Sequence, residues 1–138
     1  MEKGKIERVE DMPVFQDCFA LALNIEKASR VFAGDFKWLR GQMLRSSDSV
    51  CANMTEGFYS QYSTEYLQAL YRCRREGRET ITHVHYAMAI KQLSDEKGRA
   101  LTEGYDNALT QLANLIASIE RKIRQRGKSK AEHTSTSS

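Results

Sequence analysis

Residues 101–123, LTEGYDNALTQLANLIASIERKI, carry an apolar or aromatic side chain at alternating steps of four and three residues. This spacing gives one apolar stripe on an α-helix that packs against other helices. Ser94, followed by two acidic residues, supplies a capping side chain at the start. The sequence therefore predicts a helix over residues 95–125, whose buried stripe consists of Leu101, Tyr105, Ala108, Leu112, Leu115, Ile119 and Ile123.

Three further segments show the same helical periodicity and predict helices over residues 12–32, 36–59 and 64–93. Gly34-Asp35 separates the first two helices, and Ser63 is the expected N-cap of the third. The predicted buried stripe of the first helix is Phe15, Cys18, Phe19, Ala22, Ile25 and Phe32, and that of the second is Leu39, Met43, Val50, Met54 and Gly57. That of the third is Leu67, Leu70, Ile81, Val84 and Met88, with Arg74 and Gly77 on the same face.

Short turns between long helices favour antiparallel neighbours. The prediction is an all-α protein, an antiparallel up-down-up-down four-helix bundle over residues 11–126. A flexible N-terminal segment is expected at residues 1–10 and a disordered C-terminal tail at residues 127–138.

The composition excludes several classes of protein. No stretch is long and apolar enough for a membrane span, and the start has no apolar signal segment, so a cytoplasmic protein without membrane contact is expected. The three cysteines are widely spaced and form no Cys-x-x-Cys motif. His83 and His85 point about 200° apart on a helix, so neither a metal site nor a cofactor is expected.

The second and third helices carry a distributed motif. Its positions are Gln42, Arg45, Ser49, Asn53, Glu56, Gly57 and Phe58, followed by Glu65, Tyr66, Leu67, Leu70, Tyr71, Arg74, Glu79 and Ala87. Over roughly residues 9–125 the chain resembles the four-helix-bundle proteins encoded within intervening sequences of bacterial 23S ribosomal RNA genes. The resemblance implies a ring-like homopentamer and no catalytic activity. It also implies kinship with the accessory variability protein of diversity-generating retroelements, which works through nucleic acid and a reverse transcriptase.

A polar stripe lies beside the apolar face of the second helix. We expect it to form a structural network of Gln42, Arg45, Ser49, Asn53, Glu56 and Arg74. In this network Glu56 pairs with Arg74, or with Arg45 of a neighbouring subunit, because a buried charge needs a partner. A ligand-binding cleft is the alternative interpretation of the same stripe.

Positive charge is concentrated at the C-terminus. Residues 1–120 hold 15 Lys and Arg against 17 Asp and Glu, whereas residues 121–138 hold six against one. Such a cluster can bind phosphates, or it can be a favourable helix end followed by a solubilising tail. Candidate nucleic-acid-binding residues are Arg72, Arg75 and Arg78 on the outer side of the third helix, with Arg121, Lys122, Arg124, Arg126 and Lys128. No aromatic residue interleaves with either cluster in the sequence, so base stacking is not expected.

Three functions follow from these patterns. The first is a non-catalytic oligomer that binds RNA or DNA, and the second is a protein–protein scaffold with no role in nucleic-acid binding. The third is a ribonuclease of the HEPN class, because Arg78 and His83 fit its Arg-x4–6-His pattern. That pattern is short, and with twelve arginines and three histidines a chance match is expected.

Overall fold

Four α-helices form most of the part of the chain that the computed structural model describes, residues 5–136, with side chains described up to residue 129. They are α1 (Pro13–Ser29), α2 (Lys37–Phe58), α3 (Ser63–Ala89) and α4 (Asp95–Thr136). Short 3-10 turns at Val9–Asp11 and Gly34–Phe36 precede α1 and α2. These residues contain no β-strand, so the predicted all-helical class with four helices is confirmed.

Local sequence explains most of the helix ends. Pro13 occupies the first turn of α1, where its fixed φ angle suits a helix start. The Ser94 hydroxyl accepts a hydrogen bond from the Lys97 amide at 3.2 Å, which confirms the predicted cap of α4. Ser63 was the wrong choice of cap for α3, because it is already helical and Tyr62 precedes it in extended conformation.

The third helix ends at Ala89, earlier than the predicted residue 93. Lys91 adopts a positive φ of 64°. The amides of Gln92 and Leu93 then bond back to the Ala87 carbonyl at 2.9 and 3.2 Å. A left-handed residue that closes the last helical turn is a common helix terminator, and glycine usually supplies it. The sequence has lysine instead of glycine at this position, so the end of the helix was not predicted from the sequence.

The core lies between the apolar faces of the four helices. In α4 the predicted stripe is buried at Leu101, Tyr105, Ala108, Leu112 and Ile119, with Leu115 and Ile123 half-buried. All of the predicted α2 stripe is also buried. In α1 the prediction was wrong for Phe19, which is 51% exposed, because Leu21 takes the core position.

Arg74 does not face the core, contrary to the sequence prediction. It is exposed, and its guanidinium lies 5.1 Å from the centre of the Tyr71 ring. Of the other residues on the predicted face, Leu70, Gly77 and Val84 are buried, whereas Leu67, Ile81 and Met88 are half-buried. The buried stripe of α3 joins the first three to small or polar residues at heptad-like spacing, Cys73, Thr80 and Ala87. Arg74 follows Cys73 and therefore falls just off that stripe.

Contacts between neighbouring helices pair residues in opposite order along the chain. Between α2 and α3, Ser46 bonds to Thr80 and Asn53 to Arg72. Between α3 and α4, Gly77 packs on Leu109 and Met88 on Gly98.

Both ends of the chain depart from the predicted boundaries. Val9 is buried and its amide donates to the Tyr59 hydroxyl at 3.2 Å, so the first segment is packed from this residue onward. The first four residues lie outside the described range. The sequence predicts a disordered tail from residue 127, whereas the structure continues α4 to Thr136. The residues after Ile123 include no proline and several good helix formers, which explains the extension.

Candidate nucleic-acid interface

The last described turns of α4 form a basic surface. Arg121, Lys122, Arg124, Arg126 and Lys128 are all exposed; we call these five residues the basic end. Arg121, Arg124 and Lys128, with Gln125, line one shallow recess of about 300 Å³. Their spacing places them on one face of the helix, over roughly 10 Å of its axis. The arrangement forms a line of exposed cations along α4.

The basic end lies beside the start of α3. The Arg126 guanidinium donates a hydrogen bond to the Ser63 hydroxyl at 3.2 Å. The nearest acidic residue in sequence, Glu120, is already engaged, because its carboxylate accepts a hydrogen bond from the Tyr71 hydroxyl at 2.7 Å. Within residues 5–129, Arg121, Lys122, Arg124 and Arg126 form no ion pair. Their charge is available to solvent.

The three candidate arginines of α3 do not form one patch. Arg75 and Arg78 are exposed, as predicted. Arg72 is half-buried, and its Nε donates to the Asn53 Oδ1 at 2.9 Å. The prediction that Arg72 lies on the outer side of α3 was wrong, because its side chain lies in the seam between α2 and α3.

The same seam contains much of the predicted polar network, with different partners. Arg45 contacts the carboxylates of Glu79 at 2.8 Å and Glu76 at 3.5 Å. Asn53 donates to the Ser49 carbonyl at 2.8 Å. The buried hydroxyls of Thr80 and Ser46 lie 2.7 Å apart, a pair that the sequence analysis missed because it expected large apolar residues in the core.

The seam also sets the protonation of its two carboxylates. Desolvation raises the pKa of both, and it prevails at Glu76, where the neighbouring Glu79 also raises the pKa. At Glu79 the hydrogen bonds from Arg45 and Glu76 outweigh desolvation, and the pKa lies below its usual value. As pH rises, Glu79, opposite Arg45, therefore loses its proton before Glu76 does.

Three members of the predicted network, Gln42, Glu56 and Arg74, lie outside it. Gln42 and Glu56 are exposed. The predicted Glu56–Arg74 pair is not formed, because Arg74 lies on the other side of α3 against Tyr71. Glu56 instead lines an open recess of about 540 Å³ at the end of α2, together with Gly57, Ser60, Thr64, Glu65, Gln68, Ala69 and Arg72. The mixed charge of this recess makes it a poor site for a phosphate.

Two exposed tyrosines lie at the end of the molecule that carries the basic end, a feature that sequence reasoning missed. Tyr59 and Tyr62 are 58% and 57% exposed and belong to the turn between α2 and α3. Tyr62 immediately precedes Ser63, which bonds to Arg126. Tyr62 is therefore next in the chain to a residue that contacts the basic end, although more than fifty positions separate it from Arg126 in the sequence.

The residues of the ribonuclease hypothesis are separated on α3. Arg78 is exposed, whereas His83 is half-buried with its Nε2 3.5 Å from a Glu79 carboxylate oxygen. Five residues correspond to about 140° around a helix, so the two side chains leave the axis in different directions. The ribonuclease hypothesis remains untested by this geometry.

Two kinds of feature are absent from the described residues. None of the helices there is long and apolar enough to cross a membrane. No three side chains among His, Cys, Asp and Glu in that range are grouped as the ligands of a metal ion would be.

The chain is similar to a known protein family and to a solved structure. The model of the 23S rRNA-intervening sequence protein family matches residues 10–114. A crystal structure of a protein with unknown function from the S23 ribosomal protein family of Bacteroides thetaiotaomicron is similar, with a TM-score of 0.69 and 19% sequence identity. The similarity covers 75% of this chain and 97% of that chain. No curated protein matches the chain.

Proposed function

The chain belongs to the 23S rRNA-intervening sequence protein family, whose model matches it up to residue 114, and we propose that its bundle is non-catalytic and holds the basic end in position. In this proposal the basic end contacts RNA, or another nucleic acid, through phosphates. The supporting observation is the line of exposed cations on α4, all of them beyond the last residue that the family model matches. The proposed contact residues of α4 thus lie outside the part of the chain that the family model matches.

The physical basis is counterion release. Each cation that neutralises a phosphate displaces ions condensed on the nucleic acid, and the resulting affinity is independent of sequence. Arg121, Arg124 and Lys128 share one face of α4 and can act together on one backbone. In the proposal, Arg75 and Arg78 extend the surface along α3. Arg72 is not part of it, because its side chain is hydrogen-bonded to Asn53.

The proposed assembly is an antiparallel up-down-up-down bundle that forms a ring-like homopentamer. The opposite-order contacts of Ser46 with Thr80 and Met88 with Gly98 support the antiparallel order. Large exposed apolar side chains on the single chain support self-association, since such residues mark interaction surfaces when they cluster. They include Phe19, Leu23, Val31 and Trp38. An assembly of five copies would also multiply a weak phosphate contact.

The test is binding of a fluorescently labelled RNA by the full chain and by two matched variants. The first variant carries Arg121→Gln, Arg124→Gln and Lys128→Gln at the basic end. The control carries Lys37→Gln, Lys97→Gln and Arg99→Gln, three exposed cations at the opposite end of the bundle. Both variants lose the same charge, so only the position of that charge differs.

We expect the basic-end variant to bind on the order of tenfold more weakly or worse at physiological salt, and the control to bind as the unaltered chain does. Equal weakening of both variants would show that net charge, rather than the basic end, determines binding. Cleavage of the RNA that is lost in His83→Ala would contradict the non-catalytic proposal and support the ribonuclease instead.

A further inference from the structure

The turn between α2 and α3 exposes large aromatic surface where a folded chain would usually bury it. Tyr59 and Tyr62 each leave more than half of their surface open to solvent. Burial of an aromatic side chain is strongly favourable, so two exposed rings in one short turn are unusual. Exposed tyrosine is common where a protein contacts a partner that is part apolar and part polar.

The two tyrosines are not equivalent. Tyr59 is fixed, because its hydroxyl accepts the Val9 amide at 3.2 Å and its ring meets Phe58 edge-on at 5.0 Å. Tyr66, in the first turn of α3, likewise packs edge-on against Phe58, at 6.3 Å. Tyr62 lies between them in sequence, and its ring stacks on no other aromatic ring within residues 5–129.

The charge around the turn between α2 and α3 is uneven. The chain neighbour of Tyr62, Ser63, bonds to Arg126, the member of the basic end that reaches α3. The recess at the end of α2 contains instead the carboxylates of Glu56 and Glu65 next to Arg72. A polyanion passing this turn would therefore follow α4 and avoid the recess.

We propose that Tyr62 and the basic end together form a site for single-stranded nucleic acid, in which a base stacks on the Tyr62 ring while neighbouring phosphates contact Arg126 and Lys122, which lie one turn apart on the same face of α4. The inference rests on the proposed function and specifies its substrate class. A single strand can present an unpaired base to a ring, whereas a duplex keeps its bases stacked inside. An aromatic ring beside a line of cations is the usual combination in proteins that bind single strands.

The test compares binding of a short single-stranded oligouridylate with binding of an RNA duplex of equal length, by fluorescence anisotropy on the full chain. The variants are Tyr62→Ala, which removes the ring, and Tyr62→Phe, which keeps it. The matched control is Tyr86→Ala. Tyr86 is 47% exposed and lies at the other end of α3, about 36 Å away along the helix axis.

Tyr62→Ala should weaken single-strand binding by roughly 5- to 150-fold, the range found for loss of one stacked base, and leave duplex binding unchanged. Tyr62→Phe and Tyr86→Ala should bind as the unaltered chain does. If Tyr62→Ala binds the single strand normally while the basic-end variant does not, the stacking site is wrong and the proposed function stands. If the unaltered chain binds neither RNA at low salt, both fail.

Discussion

Gly57 marks the closest approach of α2 to α3, and its replacement by alanine gives a quantitative test of that packing. A Cβ atom built at Gly57 would lie 2.5 Å from the Cβ of Ala69 and 3.0 Å from Cδ1 of Tyr66. Two Cβ atoms cannot approach so closely, and neither can rotate away because both are attached directly to helical backbone. The two helices would have to separate at this point.

The magnitude follows from two opposing effects. Overpacking of a well-packed core costs about 1–3 kcal/mol, while alanine in place of glycine favours the helix by up to about 1 kcal/mol. Gly57→Ala should therefore lower the free energy of unfolding by about 1–2 kcal/mol. Gly41→Ala, in the same helix, meets no atom within 4 Å and should raise it by about 0.5–1 kcal/mol.

The assay is urea or thermal denaturation followed by far-UV circular dichroism. Protein concentration must be equal for all variants, because self-association would shift the midpoint. The two substitutions should move the melting temperature in opposite directions and differ by roughly 6–15 °C. If Gly57→Ala stabilises the protein as much as Gly41→Ala does, α2 and α3 do not approach each other as described.

Three further predictions concern other parts of the fold. Thr80→Val should lower the free energy of unfolding by about 1–3 kcal/mol, because it leaves the buried Ser46 hydroxyl without its partner, and combination with Ser46→Ala should cost less than the sum in a double-mutant cycle. The pKa of Glu26 is lowered, first by its hydrogen bond from Arg30 and then by Arg40, so its contribution to stability is present above the unfolded pKa of about 4.3 and is lost as pH falls through the lower folded value. Between about pH 5 and pH 3 the free energy of unfolding should therefore fall less steeply with decreasing pH in Glu26→Gln than in the unaltered chain. Denaturation curves recorded over this pH range measure it, and identical slopes would contradict the pairing. Burial raises the pKa of all three thiols, so a thiol reagent at neutral pH should react only after denaturant is added, and rapid labelling of the native protein would show exposed cysteine at Cys18 (pKa about 12), Cys51 (about 11) or Cys73 (about 12).

Helical periodicity was sufficient to predict the elements whose buried residues are large and apolar. In α2, Leu39, Met43, Val50 and Met54 are all almost fully buried, as their spacing predicts. In α3 the pattern was only partly sufficient, because Leu70, Gly77 and Val84 are buried as predicted but the small or polar core residues Cys73, Thr80 and Ala87 were missed. A stripe assigned from the large side chains of α3 does not fully coincide with the buried face, and it wrongly assigns Arg74 to the core.

The candidate site was only partly predictable, because its parts meet through tertiary structure. The exposed cations of α4 could be identified from charge counts alone. The position of Arg126 next to the turn that contains Tyr62 could not be predicted, since it depends on the contact of Arg126 in α4 with Ser63 at the start of α3. Likewise, Arg45 pairs with Glu76 and Glu79 because α2 and α3 pack side by side, a contact that no local pattern in α2 specifies.

The most direct test of the proposed function is the salt dependence of RNA binding by the unaltered chain. Contacts between three to five phosphates and the basic end predict that the logarithm of the association constant falls linearly with the logarithm of salt concentration, with a slope of about −2 to −3.5 for a single strand on one copy of the chain. A slope near zero, or no binding at low salt, would contradict phosphate recognition by the basic end.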